Sequence, residues 1–191
     1  MELQHINVKL YLEHSDKLNL GELVPVFHNW IQDQVCKEML IDVADYRHVH
    51  AGPGVVLIGD EGDYSVDNTD NRLGLRYNRK KVLPGSNPDR FAQALRASLE
   101  ACERLESDER VNGNLRFGRR ELKLFVNDRM LAPNVPETYK VVEGELRGFF
   151  REVMGTNDFV MQPEPDVRRL FGVEVKLSGS LDPAAVLRRL S

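Results

Sequence analysis

Ile41-Asp42-Val43-Ala44-Asp45-Tyr46-Arg47-His48-Val49-His50 runs into Ala51-Gly52-Pro53-Gly54 and then into Val55-Val56-Leu57-Ile58. An apolar strand ends in carboxylates and imidazoles. A Gly-Pro-Gly turn reverses the chain, and a second apolar strand returns beside the first. Two strands joined by a short turn pair antiparallel. The near-continuous apolar character of the second predicts burial on both faces.

The same signals recur on either side. Upstream, Ile6, Val8, Leu10 and Leu12 alternate with Asn7, Lys9, Tyr11 and Glu13, which predicts a strand over 6–13 with one packed and one wet face. Leu23, Val24, Phe27, Trp30, Ile31 and Val35 lie at helical spacing, so a helix is expected over about 22–37. Its start is best placed late, with Pro25 in the first turn, where the missing N–H costs nothing. Asn19 and Glu22 are the candidate capping pair.

Downstream, Asp60, Glu61, Asp63, Asp67 and Asp70 read as an acidic excursion ahead of a strand over 72–79. A hairpin loop is placed at 68–71. Asn87-Pro88-Asp89 predicts a helix start, with Asn87 as cap. A second hairpin is expected over 115–126, turning near Gly118-Arg119-Arg120. Helices from Pro136 to Met154 and over 184–190 enclose two short strands, near 159–161 and 171–177. The expected fold is one α+β domain over 1–191, with a mixed, largely antiparallel sheet of hairpin-plus-helix units. The echo of Val8-Lys9-Leu10 in Val175-Lys176-Leu177 suggests an internal pseudo-repeat.

The chain has 191 residues, 41% hydrophobic and 29% charged, enough for a core without disulfides or a structural metal. A net charge of −4 gives no global attraction to nucleic acid or an anionic membrane; no membrane partner is expected, and nucleic acid is disfavoured unless a local basic patch supplies the attraction. Cys36 and Cys102 fall in helical patterns and read as small buried hydrophobes. Met1-Glu2-Leu3-Gln4-His5 has neither the basic nor the apolar region of a signal peptide, and no run reaches membrane-span length, so a cytoplasmic location is expected.

Chemistry-bearing residues fall into two groups. His48 and His50, at i and i+2 on extended chain, project to one side and are the candidate metal ligands. Asp42 and Asp45 join them as candidate oxygen ligands or a general base, making a four-residue catalytic candidate set. Lone HxH pairs are common, and polar loop residues are the simpler reading. His28, at the helix-stripe edge, reads as a packing residue. The second group is basic. Arg76, Arg79, Lys80 and Lys81 lie on one predicted hairpin, and Arg116, Arg119, Arg120, Lys123 and Arg129 on the other. Were the hairpins neighbours, Arg76, Arg79, Lys80, Arg119 and Arg120 would form a phosphate-binding face. A solvated face balanced by the acidic segment is the alternative. There is no HExxH, GxSxG, P-loop or EF-hand pattern, and no cofactor is indicated.

IDVADYRHV (41–49), GPGVVLIG (52–59), DYSVDN (63–68) and VNDRMLAPN (126–134) together resemble a group of uncharacterised bacterial proteins of similar length. That resemblance implies no activity, cofactor or site. Three functions therefore compete. The leading one is a non-catalytic binding or assembly protein, most simply a homodimer. The others are an enzyme or metal protein built on the Asp/His group, and a phosphate or nucleic-acid binder built on the basic hairpins.

Overall fold

A computed structural model describes residues 1–13, 18–111 and 115–190. Eight strands form one sheet: β1 (Ile6–Leu12), β2 (Leu40–Tyr46), β3 (Gly54–Gly59), β4 (Gly62–Asp67), β5 (Gly74–Arg79), β6 (Phe117–Val126), β7 (Phe159–Pro163) and β8 (Gly172–Leu177). Four helices accompany them: α1 (Leu23–Asp33), α2 (Asn87–Ser107), α3 (Pro136–Met154) and α4 (Pro183–Arg189). The strand order is β2-β3-β4-β5-β1-β6-β8-β7, and every pair is antiparallel. The α+β class and the single domain agree with the sequence reading. The internal pseudo-repeat finds no support in this order, where β1 divides four strands from three.

Strand alternation builds the core. Val8 lies opposite both Tyr77 and Leu124, and Leu10 opposite Leu75 and Leu122; all six are at most 3% exposed. The helices pack on this face, α2 over β1 and β5, α1 over β2 and β3. Pro25 sits in the first turn of α1, as expected, but the helix ends early. Gln34 adopts a left-handed conformation and closes the end by donating to the Ile31 and Leu40 carbonyls. Asn19 caps the short 3₁₀ turn ahead of α1 and not α1 itself. Ser86, not Asn87, caps α2, in a capping box with Asp89. Asn87 is one residue inside the helix and accepts the Leu3 N–H at 2.7 Å. Cys36 and Cys102 are free thiols, and burial pushes both up in pKa, Cys36 to about 11.

Two expectations are corrected. The acidic segment is not a loop, since 62–67 is the interior strand β4. Its inward residues Tyr64 and Val66 are buried, and its outward Asp67 is neutralised by Lys9 at 2.6 Å. The second hairpin is one ten-residue strand, β6. Gly118 absorbs no chain reversal there; a register shift between Leu10 and Leu12 accommodates it. No described helix is long and apolar enough to cross a membrane.

The face opposite the helices carries Asn7, Lys9 and Tyr11, but it is not wet. Asn7 is fully buried and Lys9 is 5% exposed. The segment between β7 and β8 and the turn after β4 rise over this face. Arg169 of the first reaches Asp70 of the second at 2.6 Å.

Candidate functional site

The register of the sheet sets three cations side by side. Lys9 of β1 is opposite Arg76 of β5 on one flank and Lys123 of β6 on the other. Like charges directly opposite across strands are destabilising. Here each is held by its surroundings. Asp67 takes Lys9 at 2.6 Å and lies 3.6 Å from Arg76. Glu164 takes Lys123 at 2.5 Å. The Arg76 guanidinium lies over the Phe125 ring at 4.9 Å and donates through Nε to Asn7 Oδ1 at 3.2 Å. Two residues along β1 from Lys9, Tyr11 is stacked by Arg72, from the segment before β5, at 3.6 Å.

Lys9, Tyr11, Asp67, Arg76, Lys123 and Phe125 floor a cavity of about 350 Å³. Its walls come from three segments. The turn after β4 gives Thr69 and Asp70, the turn after β6 gives Arg129, and the segment before β8 gives Arg168, Arg169 and Leu170. Each wall has a local reason for its shape. Asp70 and Asn71 have φ of 67° and 55°, left-handed values that Asp and Asn tolerate better than most residues. Asp128 Oδ1 accepts the N–H groups of Met130 and Leu131, an Asx turn that presents Arg129. Asn134 donates to the carbonyls of Glu164 and Asp166 at 3.0 and 2.8 Å and fixes the third wall.

Lys9, Arg76, Lys123, Arg129, Arg168 and Arg169 line the cavity. Four each have a carboxylate at 2.8 Å or less: Asp67 for Lys9, Glu164 for Lys123, Asp166 for Arg168 and Asp70 for Arg169, with Arg169 also 3.9 Å from both Glu164 and Asp166. Arg76 shares Asp67 at longer range, and Arg129 pairs with no carboxylate among the described residues. The cavity is thus positive by two charges. Burial lowers the Lys9 pKa and outweighs the attraction of Asp67, so this ammonium is poorly solvated. Burial likewise pushes the Tyr11 phenol up, against the opposing pull of Arg72. Asp67 and Asp70 are committed to cations, and the Thr69 hydroxyl donates to Asp67 at 2.9 Å. Cations thus outnumber carboxylates in this lining.

The sequence candidates map unevenly onto this site. Of the five phosphate candidates, only Arg76 lines it. Arg79 lies with the helix-side residues, 7% exposed, and pairs with Glu61 at 2.6 Å. Lys80 pairs with Asp63 at 2.7 Å, and Arg119 with Glu106 of α2 at 2.5 Å. Arg120 is exposed on β6. The basic hairpins do not make one face, because the second is not a hairpin. The Asp/His group does not converge either. His48 and His50 are exposed, Asp42 accepts the Val43 N–H, and Asp45 is held by Arg47 in a bidentate pair. That pair holds the Asp45 carboxyl at about 2. Among the described residues no group of three His, Cys, Asp or Glu could hold a metal ion. Lys9, Tyr11, Asp67, Arg168 and Arg169 were not singled out from sequence. Their only sequence signals are the shared parity of Lys9 and Tyr11 on β1 and the Arg168-Arg169 doublet.

No known protein family model matches this chain, and no curated protein matches it.

Proposed function

We propose that this is a non-catalytic binding protein whose ligand is a small anion, held in the cavity over β5, β1 and β6. One observation carries the reading: the in-register row Arg76, Lys9, Lys123 at the centre of a sheet face, a costly arrangement that an anion would relieve. The partial enclosure by three loops suits a small molecule better than a polymer. Thermal unfolding with sodium phosphate against sodium chloride at equal ionic strength tests it. Phosphate raises the melting temperature of the wild type, and Arg76→Gln removes most of that rise. Equal shifts in the two proteins, or none, would sink the reading.

A second reading, self-association, is favoured by the edge strand β2 and its flanks. Met39, Ile41, Tyr46 and Val49 are 59, 52, 43 and 43% exposed there. Unpaired, apolar edges template pairing with another chain. Sedimentation velocity over a range of concentrations tests it. A dimer that Ile41→Lys dissociates supports the reading, and a monomer at all concentrations ends it.

A further inference from the structure

We infer that the anion is a phosphomonoester, its doubly charged phosphoryl group set between Arg76 and Arg129 and its organic part lying against Phe125 and Leu170; the inference rests on the anion-binding reading above. The charge balance carries it. Of six cations lining the cavity, four have a carboxylate of their own, which leaves a surplus of two at Arg76 and Arg129. A phosphomonoester carries about two negative charges once its second proton has left, near pH 6. A phosphodiester or a simple carboxylate carries one.

The two surplus groups are both guanidinium forks, whose donor geometry matches phosphate oxygens. Arg76 is already oriented by the Phe125 ring behind it and by Asn7 Oδ1 on Nε, and its Nη2 has no protein partner among the described residues. An anion there meets a donor that need not be immobilised on binding. The volume argues for more than a bare ion. At about 350 Å³ the cavity falls at the lower end of the range for small organic ligands, roughly 300–1,000 Å³. Phe125 and Leu170 supply apolar wall beside the cations, where a flat or aliphatic ester group finds contact.

Isothermal titration of the full chain with phenyl phosphate, inorganic sulfate and dimethyl phosphate, at pH 5 and pH 7.5 and constant ionic strength, tests the inference. Phenyl phosphate binds about tenfold more tightly at the higher pH, the ratio of its doubly charged fractions for a second pKa near 6. Sulfate does not titrate in this range; an unchanged sulfate affinity shows that the step belongs to the ligand and not to the protein. Dimethyl phosphate, with one charge, binds at least tenfold more weakly than phenyl phosphate at pH 7.5. Arg129→Gln, at an exposed position, weakens phenyl phosphate about tenfold while leaving the melting temperature of the free protein unchanged. Dimethyl phosphate binding as tightly as phenyl phosphate, or phenyl phosphate showing no pH step, overturns the phosphomonoester and leaves anion binding standing. Binding of none of the three overturns both.

Discussion

Arg169 and Asp70 form a crossbar over the open face of the sheet: Nη1 lies 2.6 Å from Oδ1, joining the segment before β8 to the turn after β4. Both residues also line a second, smaller hollow that shares Tyr11 and Lys123 with the first. The crossbar is the partition between them. With side chains 46 and 34% exposed, it contributes little to stability. Asp70→Asn keeps the left-handed backbone that Asn tolerates and removes one negative charge from the cavity. Stability is expected to change by less than about 1 kcal/mol. Affinity for inorganic phosphate, measured by calorimetry, should rise severalfold. Weaker binding would mean that Arg169 needs Asp70 to hold it in place.

The Lys9–Asp67 pair should behave in the opposite way, because its side chains are 6 and 1% exposed. Asp67→Ala strands a buried ammonium and removes the acceptor for Thr69. A cost of about 3–5 kcal/mol is expected in urea unfolding at neutral pH. Replacing both partners, as Lys9→Met with Asp67→Leu, should recover much of that cost. A single variant as stable as the wild type would show that the pair is not buried as described.

Trp30, 4% exposed, packs edge-on against Phe27 with ring centroids 5.5 Å apart and anchors α1 to the sheet. Trp30→Ala is expected to cost about 3–5 kcal/mol. A loss below about 1 kcal/mol in the same unfolding assay would mean that another face of α1 is packed.

Glu174 gives the acid side of stability. Burial pushes its carboxyl up, but Lys176 and Arg72 together outweigh burial and hold its pKa below the ordinary 4.5. A carboxylate depressed in the folded state stabilises fully above its unfolded pKa and loses that contribution as pH falls through the folded value. The stability gap between wild type and Glu174→Gln should therefore be constant above the ordinary glutamate range and close as pH falls below it, through the depressed folded value. Urea melts across that range measure it, and a gap independent of pH would contradict the assignment.

What could be read along the chain was local. The alternation of Ile6, Val8, Leu10 and Leu12, the helical stripe through Phe27 and Trp30, and the apolar run at Val55–Ile58 each mark an element that is present, although α1 stops a turn short of its pattern. β4 was missed because Asp60, Glu61, Asp63, Asp67 and Asp70 carry low strand preference. The charges that make this segment look like loop are neutralised from a distance: Asp67 by Lys9, 58 residues away, and Asp63 and Glu61 by Lys80 and Arg79. The site escaped for the same reason. Arg76 was among the candidates, but its neighbours Lys9 and Lys123 are assigned by sheet register, and Arg169 reaches Asp70 across 99 residues of sequence, from β8's approach to β4's exit. His48 and His50 were conspicuous as a motif, yet lie on an exposed loop with no third ligand.

The central place of β1 has a consequence for how the chain is made. This strand leaves the ribosome before either neighbour exists: β5 begins at Gly74 and β6 at Phe117. Pairing across such separations is slow to nucleate, and an unpaired apolar strand is open to the wrong partner while it waits. Lys9, in the middle of Ile-Asn-Val-Lys-Leu-Tyr-Leu, is a charge at the point where a stray strand would dock. The same ammonium that floors the cavity in the finished protein is thus a charge of the kind that discourages stray strand pairing before its partner Asp67 has been made.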